Sequence, residues 1–244
     1  MHLSDPIVLL HAFPVDSRMW DGVRPALGER MITPDLPGFG SAPPVDEPDL
    51  GLAAAAVLDH LDRLGIERAI VGGCSMGGYV AMALLRVAPA RVSGLVLVNT
   101  KASADTEEAR RNRFAMAARA ESAGIGWLAD EMLTTLLGRT TLEKRPEVEV
   151  TLRALIAGQK PAAVAWAQRA MAGRPDSFDV LRGAGAELPA LIVRGAEDAL
   201  IPRAEADLMA GALPRSTVVE LAGAGHLAPL EIPAEFAAAV SRWP

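Results

Sequence analysis

Ala69-Ile70-Val71-Gly72-Gly73-Cys74-Ser75-Met76-Gly77-Gly78 decides the fold. Ala69–Gly72 is a short continuous apolar run, and Met76–Val87 carries a helical pattern that must stop near Ala88 because Pro89 follows. Between them lies a turn dense in glycine. A strand that enters such a turn and leaves as a helix carries the turn residue to the edge of a sheet. Glycines two before and two after Ser75 let backbone segments approach without a Cβ in the way. The Ser75 hydroxyl is then presented at that edge, with the positive end of the following helix behind it. A bare G-x-S-x-G is a weak signal; the strand–turn–helix setting makes it a strong one.

Working outward, similar apolar runs occur at Ile7–Leu10, Met31–Thr33, Leu95–Val98, Leu191–Val193 and Val218–Leu221. They are continuous rather than alternating, as in parallel strands covered by helices on both faces. Helical patterns at Leu50–Leu64, Arg203–Leu213 and Pro233–Ser241 punctuate them. That alternation specifies an open α/β sheet, mostly parallel, of about six to seven strands. Residues 100–188 break the rhythm with no convincing strand. They predict helices over Thr106–Ser122, Ile125–Leu137, Pro146–Ala157 and Pro161–Met171, with a short turn near Phe178–Leu181. The expected organisation is a core of residues 1–99 and 189–244, with residues 100–188 inserted as a helical lid over the carboxyl edge of the sheet. Ligands bind at that edge in open α/β folds.

A serine hydroxyl needs a base to act as a nucleophile at neutral pH. Four histidines are available. His2 lies in the N-terminal segment, His60 falls on a polar helix face, and His11 ends the first strand in a structural position. His226 follows the last strand in Gly223-Ala224-Gly225-His226, where a tight loop can aim an imidazole across the sheet edge. A carboxylate must then fix its tautomer. Asp198, in Gly195-Ala196-Glu197-Asp198 just past Leu191–Val193, is the choice. Glu197 is its neighbouring rival, and Asp207 is on a helix. Charge developing on a carbonyl oxygen needs fixed donors. The backbone N–H of Met76 is one. Phe13, in His11-Ala12-Phe13-Pro14, supplies the other, with Ala12 as runner-up; Pro14 has no N–H to offer. Trp127, Met132, Leu136, Trp166 and Met171 are candidates to line an apolar pocket above Ser75. Few charges fall near the expected site, which suggests a small, mainly apolar acyl or alcohol group. Cys74 reads as a small packing residue.

A net charge of −6 argues against a nucleic-acid partner. Arg110, Arg111 and Arg113 sit among Glu107, Glu108 and Glu121 and read as a solvated helix face. A single cysteine permits no internal disulfide and suits a reducing, cytoplasmic setting. The opening MHLSDPIVLL does not have the pattern of a signal peptide, and no apolar run is long enough to span a membrane. No metal-ligand spacing is present, no cofactor is required, and the expected partner is a small-molecule substrate.

These motifs closely resemble the α/β-hydrolase superfamily, and within it the small lidded esterases, enol-lactonases and non-haem haloperoxidase-like members. HAFPVDSRMW is similar to their oxyanion loop, with Ala12 where glycine is usual. DLPGFG is similar to their Asp-x-x-Gly-x-Gly loop, GCSMGG to their nucleophile elbow, RGAEDALIP to their acid loop and GAGHLAPLEIP to their histidine loop. The matches fall in the family's order over positions 7 to 235, although there is little room for the two strands that usually precede Ile7–Leu10. The resemblance implies a cofactor-free serine hydrolase with Ser75, His226 and Asp198 as its triad, cleaving a carboxylic ester, thioester or lactone through an acyl-enzyme. Enol-lactone hydrolysis, carbon–carbon bond hydrolysis of a diketone, and perhydrolysis are alternatives on the same site. A non-catalytic ligand-binding member would be expected to lack a triad residue.

Overall fold

The computed structural model of the chain describes residues 5–243, so His2 lies outside the described residues. The strands are β1 Ile7–Leu10, β2 Met31–Ile32, β3 Ala69–Cys74, β4 Val92–Val98, β5 Ala190–Gly195 and β6 Ser216–Leu221. They form one six-stranded sheet in the order β2-β1-β3-β4-β5-β6. Every pairing is parallel. Among the described residues no further strand precedes β1.

β1, β3 and β4 are buried along their whole length, which is why they read as unbroken apolar runs. β4 begins at Val92, three residues before its apolar run, and takes in Ser93 and Gly94. Gly94 is small because the Trp243 ring packs over it: a Cβ there would lie 3.0 Å from the indole. β6 is an edge strand and is largely exposed.

The helices in chain order are α1 Arg24–Leu27, α2 Leu50–Arg63, α3 Met76–Val87, α4 Glu107–Ala123, α5 Leu128–Leu136, α6 Arg139–Lys144, α7 Pro146–Ala157, α8 Pro161–Gly173, α9 Phe178–Gly183, α10 Arg203–Ala212, α11 Ala228–Glu231 and α12 Pro233–Arg242. α2 starts at an Asp49 cap whose carboxylate accepts from the Gly51 and Leu52 N–H groups. α2 packs on α3, α3 on α9 and α9 on α10, while α1 packs on α12. From β1 the chain moves outward to β2, then crosses back to β3 and continues the other way. Right-handed crossovers put helices made in opposite directions on opposite faces. The sheet order therefore reverses beside β1 and β3, and a crevice opens past their carboxyl ends.

Residues 100–188 are helical, as expected, but α6 is an additional helix there. It follows Gly138, which is closely packed: a Cβ there would meet the Gly225 N at 2.7 Å. α4 lies along α8, and α5 packs on α7. No helix among the described residues is long and apolar enough to cross a membrane.

Candidate active site

Ser75 sits between β3 and α3 with φ 52° and ψ −111°. A non-glycine residue is strained there and persists only where its surroundings hold it. They do: the Ser75 N–H donates to the Val98 carbonyl at 2.9 Å, and the Ser75 carbonyl accepts from Thr100 Oγ1 at 2.8 Å. The glycines at 73 and 77 are required by close approach rather than by flexibility. A Cβ on Gly73 would overlap the Gly77 backbone, and one on Gly77 would overlap the Leu10 carbonyl. The turn is thus pressed against β1. Cys74 is fully buried and its thiol points at the His226 carbonyl, 3.5 Å away. Burial holds that thiol's pKa well above the usual range.

His226 is almost entirely buried, and its Nδ1 lies 3.0 Å from both carboxylate oxygens of Asp198. Asp198 also accepts from Asn99 Nδ2 at 2.6 Å and from the Leu200 and Ile201 N–H groups at 2.8 and 3.1 Å. Burial pushes this carboxyl's pKa up. The charge and hydrogen bond of His226, with the donors Asn99 and Leu200, outweigh it, so the group lies below the usual carboxylate range. An ionised Asp198 can only accept, so Nδ1 carries the imidazole proton and Nε2 is left as an acceptor. The rival acids turn elsewhere. Glu197 takes the Thr140 N–H at 2.7 Å and its hydroxyl at 2.6 Å, while Asp207 pairs with Arg203 on α10.

The other described histidines have different roles. His11 is buried between loops, with Nδ1 3.0 Å from the Ala12 carbonyl and Nε2 taking the Leu36 N–H at 2.9 Å. Burial lowers its pKa, and it acts as a neutral strut. His60 lines a separate surface groove with Asp35 and Arg63.

Ser75, His226 and Phe13 line one cavity of about 340 Å³, together with Met132, Leu136 and Met171. Met76 is the first residue of α3, so its N–H has no partner within the helix. The Ala12 N–H is already spent on Met19 Sδ at 3.2 Å, whereas Phe13 faces the cavity.

Two expectations about the cavity are corrected. Trp127 and Trp166 do not line it. Trp127 precedes α5, donates from Nε1 to the Gly124 carbonyl at 2.8 Å, and lies under the Arg119 guanidinium. Trp166 is on the outer side of α8, donates to the Glu47 carbonyl at 2.9 Å, and borders a different groove with Pro37 and Lys160. Nor is the lining free of charge: Lys101, Asp105 and Arg113 belong to it. Arg113, read from sequence as part of a solvated face, turns inward because α8 covers that side of α4.

Residues 7–239 match the alpha/beta hydrolase family. The chain is 30% identical over 246 residues to a pimeloyl-[acyl-carrier protein] methyl ester esterase of Aromatoleum aromaticum, covering 95% of this chain and 94% of that one. The chain belongs to the alpha/beta hydrolase family. A thermophilic esterase of Thermogutta terrifontis, solved with malate bound, superposes with a TM-score of 0.93 at 37% identity, covering 98% of this chain and 88% of that one. The dihydrolipoyllysine-residue acetyltransferase component of the acetoin cleaving system of Pseudomonas putida is 34% identical over 229 residues. That match takes in 93% of this chain but spans 60% of the length of that relative. Hydrolytic enzyme is the class to which these relationships assign the chain.

In this alpha/beta hydrolase, sequence reasoning missed two groups around the site. Asn99 bridges Asp198 and the Gly225 carbonyl. Its signal was its place directly after a buried strand, where polar residues serve loops. Glu231 is buried and accepts from the N–H groups of Gly138 and Gly225 at 2.9 Å each and from Thr141 Oγ1 at 2.5 Å. It ties the His226 loop to the inserted helices. A lone Glu between Leu230 and Ile232 in an apolar stretch was the clue.

Proposed function

We propose that the chain is a serine carboxylic-ester hydrolase. Ser75 Oγ attacks the ester carbonyl while His226 Nε2 takes its proton. The Met76 and Phe13 N–H groups steady the oxyanion, and Asp198 remains ionised throughout. His226 then returns the proton to the leaving alcohol oxygen. A water deprotonated by the same imidazole attacks the acyl-enzyme and releases the acid. The helices of residues 100–188 act as a lid, since α4, α5 and α8 contribute Met116, Met132 and Met171 to the cavity. The observation that carries this reading is the buried His226–Asp198 pair opening on the same cavity as a backbone-strained Ser75. The esterases among its relatives support an ester as the substrate class.

The test is turnover of p-nitrophenyl acetate and butyrate by the purified chain. Ser75→Ala is expected to lose about 10³-fold or more in kcat while keeping its fold. Asp198→Asn is expected to lose about 10⁴-fold, because an amide donor favours the wrong imidazole tautomer. Unchanged turnover in Ser75→Ala, with native circular dichroism, would refute the assignment.

A further inference from the structure

Beside the apolar Met171, the wall of the cavity is built around one buried carboxylate. Asp105 precedes α4 and its side chain is only 2% exposed. Three cations converge on it: Lys101 Nζ at 3.2 Å, Arg113 Nε at 2.5 Å and Arg174 Nη1 at 2.9 Å. Burial pushes the Asp105 carboxyl up, but the hydrogen bonds and charges of Arg113 and Arg174 outweigh it and hold it at about 2. Asp105 is therefore a fixed negative charge at any working pH.

The three cations are not equivalent. Arg174 does not line the cavity: it lies over the Tyr79 ring and donates to the Met171 and Ser103 carbonyls as well. Lys101 and Arg113 do line it. Lys101 has Asp105 as its one ion-pair partner among the described residues, which leaves two ammonium protons for a ligand. Arg113 uses Nε on Asp105 and Nη1 on Gln168 Oε1 and Met171 Sδ, and Nη2 has no hydrogen-bond partner among the described residues. Asn112 and Gln168 add neutral polar groups to the same wall.

Charge arithmetic then decides between ligands. Lys101, Arg113 and Arg174 carry three positive charges against the two negative charges of Asp105 and Glu205, the latter joined to Arg174 through Ser103, a surplus of one for the cluster. Glu205 is held by Ser103 Oγ at 2.7 Å and is not part of the lining. Asp198, the carboxylate beyond Ser75, is occupied by His226, Asn99 and two backbone donors. A surplus of one charge, offered by an ammonium and the edge of a guanidinium, suits a monoanionic carboxylate better than a phosphate dianion.

We propose that the cavity takes the monoester of a short dicarboxylic acid, whose free carboxylate is held by Lys101 and Arg113 while its ester carbonyl meets Ser75. This rests on the hydrolase reading given above. A charge on the acyl half stays anchored through both half-reactions, whereas a charge on the alcohol would hold back the leaving product. Hydrolysis adds water across the ester bond and yields the dicarboxylate and an alcohol. The apolar residues Met132 and Leu136 cover the methylene chain between the two ends.

Binding to the Ser75→Ala variant tests this without depending on catalysis. Monomethyl glutarate and its neutral isostere methyl 5-methylhexanoate, in which an isopropyl group replaces the carboxylate, are titrated calorimetrically into that variant at low salt. The half-ester is expected to bind about tenfold tighter, as a charge-assisted hydrogen-bonded contact implies. Adding Lys101→Gln is expected to erase most of that ratio. Equal affinity for the two ligands overturns the proposal, and so does a ratio that survives Lys101→Gln. Turnover of both methyl esters by the unaltered chain separately tests the hydrolase reading. A chain that hydrolyses neither ester but still discriminates between them in binding would contradict that reading and leave the carboxylate subsite standing.

Discussion

At the scale of single residues, the site depends on side chains that never touch a substrate. Asn99 has φ 45°, a left-handed conformation that asparagine tolerates better than most residues. That conformation directs its amide at Asp198 Oδ2, and the same amide reaches the Gly225 carbonyl at 3.3 Å. Removing a donor from a buried carboxylate raises its pKa and loosens its hold on the imidazole. Asn99→Ala is expected to lower kcat by about 10- to 100-fold, the equivalent of one charge-assisted hydrogen bond. KM should stay within about twofold, because Asn99 does not line the cavity. Steady-state kinetics on a short ester measure both. A variant with an unchanged kcat would mean that Asp198 is oriented adequately by His226 and the backbone donors alone.

At the scale of elements, the reach of the His226 loop is set by how three backbones meet. Gly138 precedes α6, Gly195 ends β5 and Gly225 precedes His226. A Cβ on Gly195 would overlap the Gly225 carbonyl, and one on Gly225 would overlap Gly138. Glu231 in α11 locks the join through its three donors from two of these segments. Replacing it by alanine leaves buried N–H and hydroxyl groups without their acceptor. Glu231→Ala is therefore expected to cost about 3 kcal/mol, or about 6–12 °C in Tm for a chain of this size. Differential scanning calorimetry reads this directly, and a Tm shift under about 2 °C would contradict the role given to the clasp. The sequence showed where α7 and α8 begin, because Pro146 and Pro161 occupy first-turn positions. It hid α6, whose six residues Arg139–Lys144 carry too little apolar periodicity to stand out.

At the scale of the whole molecule, the pieces are far apart in the chain and are brought to one side of the molecule by the sheet. Ser75 follows β3, Asp198 follows β5 and His226 follows β6. Parallel strands deliver all three to one edge, which is why strand ends and loop composition made them candidates in the sequence. The cationic wall was not legible in the same way. Lys101 and Asp105 have the i,i+4 spacing of an ordinary surface ion pair, Arg113 lies eight residues further on, and the packing of α8 along α4 covers the side of α4 that carries Arg113. Trp127 and Trp166 misled for the opposite reason: large apolar rings in a helical insertion read as pocket lining, yet the indole N–H of Trp127 has the Gly124 carbonyl three residues away and that of Trp166 reaches the Glu47 carbonyl of the core. Because the proposed activation of Ser75 comes from the assembled fold, it should vanish when the fold is lost. The most direct measurement is labelling with a fluorophosphonate followed by peptide mass spectrometry, on the native chain, on Ser75→Ala and on the chain unfolded in urea. A single adduct on Ser75 in the native protein, with none in the other two samples, is the predicted result. A native protein left unmodified, or one modified at another residue while Ser75 stays free, would contradict the account.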